Sequence, residues 1–359
     1  MIWIILFELI VLFALFFWLP VMRHESFFAV HVSREYFNGD GQKILLYYRI
    51  VLGIVFTLHL TALFMITDTK PIFLISLVLS QLAICPLIHY VFYYRVKPYR
   101  VIIENPKTVA SLHSRNLLNH TNILVEATIA FLILTPVLAL VYFYPQLPES
   151  IPSHWNFAGQ PDRWVTRSWS KIALFPALAL WLHSSLFVVK NSFLQTRIAL
   201  PAQKTADYFA LKEKSLHLSL RFIDALRLLV GVVLAIVPLN IIISAISAYK
   251  FLEPFSAIAL WTCAAATIIT TIFFIARVMQ INSKLDDVVG ASEIFSASSD
   301  AGWIGGGAIY YNPNDPALFV EKKIGIGNTI NFANKQAKYF SLYFLGGGGI
   351  LFFLAISNF

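Results

Sequence analysis

The sequence predicts an all-α polytopic membrane protein with about eight transmembrane helices, a short ordered extracytoplasmic loop and a small cytoplasmic β-meander. Three observations carry that prediction. First, 58% of the residues are hydrophobic and 13% are charged, and the mean hydropathy is +0.71. Soluble domains run at about 45–50% apolar and about 25% charged, so lipid rather than water is the solvent for most of this chain. Second, eight apolar stretches approach the roughly 20 residues that cross about 30 Å of hydrocarbon as a helix. Third, Lys and Arg are divided unevenly between alternate loops.

In order, the spans are Ile2–Met22, Tyr47–Ile66, Pro71–Tyr94, Ile123–Tyr144, Lys171–Lys190, Phe222–Ala248, Phe255–Met279 and Lys338–Ser357. Each must be a helix, because lipid offers no partner to an open backbone. The chain is thereby organised as helices 1–4 (1–144), a motif loop with helix 5 (145–190), a loop with helices 6 and 7 (191–280), a loop with a β domain (281–337) and helix 8 (338–359). The first span has neither a basic start nor a small-residue cleavage site, and Arg23 and His24 follow it. It is expected to be an uncleaved anchor. The loops 67–70 and 249–254 are too short to carry a fold and make helical hairpins. No internal repeat stands out, which argues against a transporter built from inverted halves.

The loops after spans 1, 3, 5 and 7, with their flanks, hold 22 of the 27 Lys and Arg residues. The other side holds Lys70, Arg163, Arg167, Lys171 and Lys250. The first set is therefore expected in the cytoplasm, and both termini outside. Tyr and Trp gather at the span ends, where aromatic belts form.

Composition also excludes classes of function. Cys85 and Cys263 both lie in apolar runs, so neither a disulfide framework nor a Cys-rich zinc site is expected. The net charge of +8 is spread over loops beside apolar helices, as topology requires, and no nucleic-acid partner is expected. No HExxH, GxSxG or paired-Asp signature is present, so the chain is read as neither an enzyme nor a cofactor binder.

Between spans 4 and 5 lies LPESIPSHWNFAGQPDRWVTRSW, residues 147–169. Pro148, Pro152 and Pro161 restrict its backbone and Gly159 permits a turn. The candidate ligand-binding residues are His154, Trp155, Asn156, Asp162, Arg163 and Trp164. Three readings are open. His154 and Asp162, with Glu149, would be metal ligands, although their spacing matches no compact metal motif, and no metal is assigned. The aromatic and charged cluster would bind an extracellular peptide or a lipid head group. Or the segment only caps the helices.

IPSHWNFAGQPDRW resembles the IPxHWNxxGxPDxW signature of a domain of unknown function in bacterial membrane proteins. The matching positions are Ile151, Pro152, His154, Trp155, Asn156, Gly159, Pro161, Asp162 and Trp164. The best-known relatives of that domain are SdpI-like proteins, which confer immunity to a secreted killing peptide. The resemblance implies a multi-pass protein of the bacterial cytoplasmic (inner) membrane that neutralises a peptide outside and relays its presence inward. Its partners would be membrane lipid, an extracellular peptide and a cytoplasmic protein.

The last long loop, residues 281–337, begins with a polar extension of span 7 over 281–289. A Ser/Ala/Gly-rich linker follows over 290–302. Residues 308–311 and 317–320 read as strands flanking an NPNDP turn, and 328–332 could add a third, giving a β-meander of two or three strands. The stretch resembles a second domain of unknown function, with the pattern YYNPxDPxxFVxKKxGxGxTxNF, that often accompanies the first. Gly305–Gly307 and GIGNTI lack the order of nucleotide-binding loops and read as turn and packing glycines.

Polar groups inside a membrane are expensive and mark either interhelical bonds or pathways. Glu8, His59, Gln81 and His183 are the intramembrane candidates. They carry the alternative function, a small-solute or proton-coupled transporter. His89 and Asn240 are polar too, and Glu126 and Asp224 sit at span ends where a partner such as Arg227 would explain them. The Gly346–Gly349 run of span 8 reads as a close-packing surface, with an unwound segment as the alternative.

Overall fold

A computed structural model describes residues 2–21, 27–65, 71–101, 108–110, 117–156, 159–196, 199–201, 205–289, 302–322 and 327–351. In chain order it contains α1 (Ile2–Trp18), α2 (Arg34–Tyr36), α3 (Gln42–Met65), α4 (Pro71–Val96), β1 (Thr108–Ala110), α5 (Ile123–Phe143), β2 (Ser150–Trp155), β3 (Pro161–Thr166), α6 (Trp169–Gln195), β4 (Ala199–Pro201), α7 (Thr205–Ala245), α8 (Glu253–Val289), β5 (Trp303–Ile304), β6 (Ile309–Tyr310), β7 (Phe319–Glu321), β8 (Asn328–Ile330) and α9 (Ala337–Ser341). Six helical segments are long and apolar enough to cross a membrane: Arg34–Met65, Ser76–Tyr99, Ile123–Gln146, Trp169–Gln195, Ala206–Ala245 and Ser247–Leu285. The chain is a multi-pass membrane protein. The first and last of the eight expected spans are helical but shorter among the described residues. α1 has 17 residues, and α9 continues through a π-helical turn at Leu342–Gly346 and a further helical stretch to residue 351.

Two helices outrun the apolar runs that predicted them. α7 begins at Thr205, well before the expected Phe222, because the preceding segment has strong helix formers and keeps its backbone bonded. α8 runs on to Val289 through the polar segment expected to extend it. Pro86, Pro136, Pro176 and Pro238 lie inside helices, as membrane helices tolerate.

The chain divides into two compact units. In unit 1 (1–111, 196–209 and 282–335), α1, α3 and α4 pack on one another. Their core is Phe16, Phe27, Phe28, Leu45, Tyr48, Leu52, Cys85 and Phe92. Tyr48 donates its hydroxyl proton to the Phe16 carbonyl at 2.8 Å and ties α3 to α1. Phe28 and Ala29 hold positive φ angles of 47° and 63°. That costs a non-glycine residue energy, offset here by complete burial of Phe28 against Tyr48 and Phe92. The short strands β1 and β4 pair antiparallel, a long-range pairing of two segments with no strand signal of their own.

The expected meander is instead two hairpins. β5 pairs with β6 and β7 with β8, and a single parallel bridge joins Tyr310 to Asn331. The NPNDP segment turns no hairpin because its side chains take up the backbone. Asn312 Oδ1 accepts from the Asn314 N–H and Asp315 Oδ1 from the Ala317 N–H. Asn331, fully buried, is the hub. Its Oδ1 accepts from the N–H groups of Asn312 and Ala333, and its Nδ2 donates to the carbonyls of Asn312 and Asp315. Gly306, at φ 68°, lies where a Cβ would come 3.3 Å from Tyr93 and 3.5 Å from Tyr90, so this loop seats closely on α4. The expected linker over 290–301 lies outside the described residues.

Unit 2 (112–195, 210–281 and 336–359) holds α5, α6, most of α7 and α8, α9 and the β2–β3 hairpin. Asn122 caps α5 by accepting the Leu124 N–H at 3.0 Å. Two of the four glycines after α9 do pack closely. A Cβ on Gly347 would lie 2.7 Å from the Trp181 indole nitrogen, and one on Gly348 would lie 3.0 Å from the same ring.

Candidate functional site

The island between α5 and α6 is an antiparallel hairpin. Ser150 pairs with Thr166, Ile151 with Val165 and Pro152 with Trp164, and the register then slips so that His154 faces Arg163 and Trp155 faces Pro161. Such a bulge re-aims side chains. Proline explains it: Pro152 and Pro161 have no N–H to give the ladder.

One set of side chains fixes the hairpin to the helices. Ile151 is 1% exposed and packs with Leu140, Leu147, Ile172, Ile241 and Ile242. Trp155 donates its indole N–H to Ser244 Oγ of α7 at 3.0 Å. Asn156 closes the tip, its side-chain oxygen accepting the Gln160 N–H at 3.0 Å. Gly159, at φ 77°, brings the tip against α8, and a Cβ there would stand 2.8 Å from the Ala257 Cβ. Arg167 was not singled out from the sequence, and it clamps the hairpin's exit. Its guanidinium donates to the carbonyls of Tyr144 and Leu147, just beyond the end of α5, and lies 4.9 Å over the Tyr144 ring.

A second set faces out. His154 Nδ1 and Asp162 Oδ1 are 2.5 Å apart, with side chains 55% and 44% exposed. Asp162 thereby fixes the imidazole and leaves Nε2 free for a ligand. Arg163 is exposed beside them. Trp164 is 49% exposed and Trp169 51%, the latter stacked on Tyr144 at 3.8 Å. No third His, Cys, Asp or Glu joins the pair among the described residues. The six candidates therefore part company. Trp155 and Asn156 build the support, while His154, Asp162, Arg163 and Trp164 form an outward surface.

The intramembrane candidates do not form one group. His59 Nε2 lies 2.9 Å from Ser80 Oγ, joining α3 to α4, and its Nδ1 lies 2.8 Å from the Val55 carbonyl. Gln81 Nε2 donates to the Leu9 carbonyl of α1 at 3.0 Å. Both are interhelical ties within unit 1. The Glu8 side chain lies outside the described residues. His183, in unit 2, is 3% exposed, and neither ring nitrogen has a hydrogen-bond partner among the described residues.

Near His183, unit 2 holds a charge network. Arg227 of α7 donates Nη1 and Nη2 to the two Glu126 oxygens of α5 at 2.6 and 2.7 Å, a bidentate fork. Its Nη1 also lies 3.3 Å from Asp224. Lys190 of α6 donates to both Asp224 oxygens at 2.9 and 2.7 Å. The Lys190 and Arg227 side chains are 0% and 4% exposed. The sequence suggested Arg227 as a partner for Glu126 and Asp224, but not Lys190, which read as a flanking basic residue. At 1.5 Å per residue, Trp169 at the hairpin end of α6 and Lys190 are about 30 Å apart, one hydrocarbon thickness. The hairpin and the network thus occupy opposite ends of the same helices.

Two family models match the chain. A domain of unknown function, DUF1648, matches residues 131–180, which hold the hairpin and parts of α5 and α6. A family of unknown function, DUF5808, matches residues 313–338, which hold β7, β8 and Asn331. No curated protein matches the chain, and neither does any solved structure.

Proposed function

We propose that this chain is an SdpI-like immunity or signal-relay protein of a bacterial cytoplasmic membrane, and that its β2–β3 hairpin recognises a secreted peptide on the extracytoplasmic side. The observation that carries this reading is the division of the hairpin's side chains. Ile151, Trp155, Gly159 and Arg167 hold it on the helix ends, while His154, Asp162, Arg163 and Trp164 stand outward. Recognition needs a rigid support and free groups of mixed chemistry, and an exposed Trp beside charges is a common anchor for a protein partner. A purely capping segment has no use for an outward carboxylate–imidazole pair. The uneven Lys and Arg distribution supports an extracytoplasmic hairpin and a cytoplasmic β5–β8 element, which would dock a cytoplasmic partner.

The test is survival of a strain deleted for this gene and challenged with secreted peptides of neighbouring bacteria. Restoring the gene is expected to restore resistance, and the His154→Ala, Trp164→Ala double variant, at equal membrane abundance, is expected not to. Equal sensitivity with and without the gene, together with unchanged transcription, contradicts the proposal.

A further inference from the structure

The network of unit 2 points to a second site, independent of the hairpin. Four paired charges at a helix end are a common clamp, and nothing more follows from Glu126, Asp224, Lys190 and Arg227 alone. His183 changes that. It lies on α6 two turns before Lys190, on the same helical face. It is 3% exposed, and both ring nitrogens are without hydrogen-bond partners among the described residues. A buried polar group left so is unfavourable and calls for a reason. The backbone of α7 is brought against the ring by Gly231, where a Cβ would come 3.3 Å from both Cε1 and Nε2. The imidazole is within electrostatic reach of Arg227 and Glu126.

Burial is graded. The Glu126 side chain is 26% exposed, Asp224 16%, Arg227 4% and Lys190 0%, and His183 is as buried as Arg227. We propose that this cluster is a proton-binding site, with Glu126 and Asp224 at its mouth and His183 as the interior acceptor. Uptake from hydronium forms one N–H bond on the neutral imidazole and leaves a water molecule behind. The charged groups near the ring are Glu126 from α5 and Arg227 from α7, while Asp224 of α7 pairs with Lys190 of α6 and with Arg227 further along the helices. The four charges already sum to zero, so the bound proton adds one net positive charge inside the protein. Such a site is a proton relay's inner station.

The test is a pH titration of the full-length protein in lipid nanodiscs, with histidine ring nitrogens followed by ¹⁵N NMR and His183 assigned by the signal lost in His183→Gln. Between about pH 4 and about pH 9, a window around the ordinary histidine value, the His183 signal is expected to pass from neutral imidazole to imidazolium. In Glu126→Gln its midpoint is expected to fall by about one pH unit, and Glu126→Asp is expected to restore most of that shift. A ring that stays neutral across the whole window overturns the proposal, and so does a midpoint unmoved in Glu126→Gln. Should the variants not assemble, the wild-type titration decides alone. The hairpin reading stands or falls separately, because peptide resistance does not enter this measurement.

Discussion

The β2–β3 hairpin and the β5–β8 element are built from similar residues and hold themselves together in opposite ways. The β2–β3 hairpin borrows its stability from helices. Ile151 enters a core with residues of α5, α6 and α7, Trp155 bonds Ser244, and Gly159 lies on Ala257. Arg167 clamps its exit, while His154 and Asp162 stay outside. The β5–β8 element spends its polar residues on itself. The Asn331 side chain bonds the backbones of Asn312 and Asp315, whose own side chains bond Asn314 and Ala317, and Tyr310 donates its hydroxyl proton to Asp315 at 3.0 Å. Polar residues in a motif are thus no guide to function until their partners are known. In one element they are scaffold, and in the other they stand exposed.

That contrast breaks most visibly at Asn331. Asn331→Ala removes four side-chain hydrogen bonds and strands buried partners, so the β5–β8 element is expected to lose about 3 kcal/mol or more. Amide hydrogen exchange over residues 302–335 should accelerate while that of α5 and α6 does not. Next comes Gly159→Val, which forces a Cβ into the 2.8 Å contact with Ala257 at a positive φ. About 2 kcal/mol of local destabilisation is expected, read as faster exchange in β2 and β3. Trp155→Phe keeps an aromatic ring, smaller than the indole, and loses the bond to Ser244. About 1 kcal/mol is expected, measured as a lower thermal midpoint in detergent. Smallest of all, His154→Ala and Asp162→Asn should change stability by no more than about 0.5 kcal/mol, because both side chains are about half exposed. They sharpen the comparison, since loss of peptide resistance at unchanged stability separates a ligand surface from a scaffold.

Much of the fold was legible. The apolar runs located the helices because hydropathy over a bilayer thickness is a strong, local signal. The turn chemistry at Gly159 and the packing glycines Gly347 and Gly348 were also readable, since only close approach or positive φ makes a side chain costly there. Long-range pairings were not. Nothing local marks Thr108–Ala110 and Ala199–Pro201 as partners, and the bond from Lys190 to Asp224 spans two helices. The meander was misjudged for a similar reason: whether an Asn in a turn bonds its neighbours or a distant strand depends on where Asn331 lands. For the candidate surface, the sequence assembled six residues in one cluster and could not sort them, because sorting depends on a bulge that turns His154 toward Arg163.

Cysteine accessibility tests the hairpin's sidedness most directly. Thr166, on β3, and Asn314, in the NPNDP segment, are both exposed. With Cys85 and Cys263 replaced by serine, Thr166→Cys is expected to react with a membrane-impermeant maleimide added to intact cells, and Asn314→Cys only after the membrane is opened. Labelling of both in intact cells, or of neither, contradicts a surface that looks outward from one end of the helices while the asparagine-bonded element looks inward.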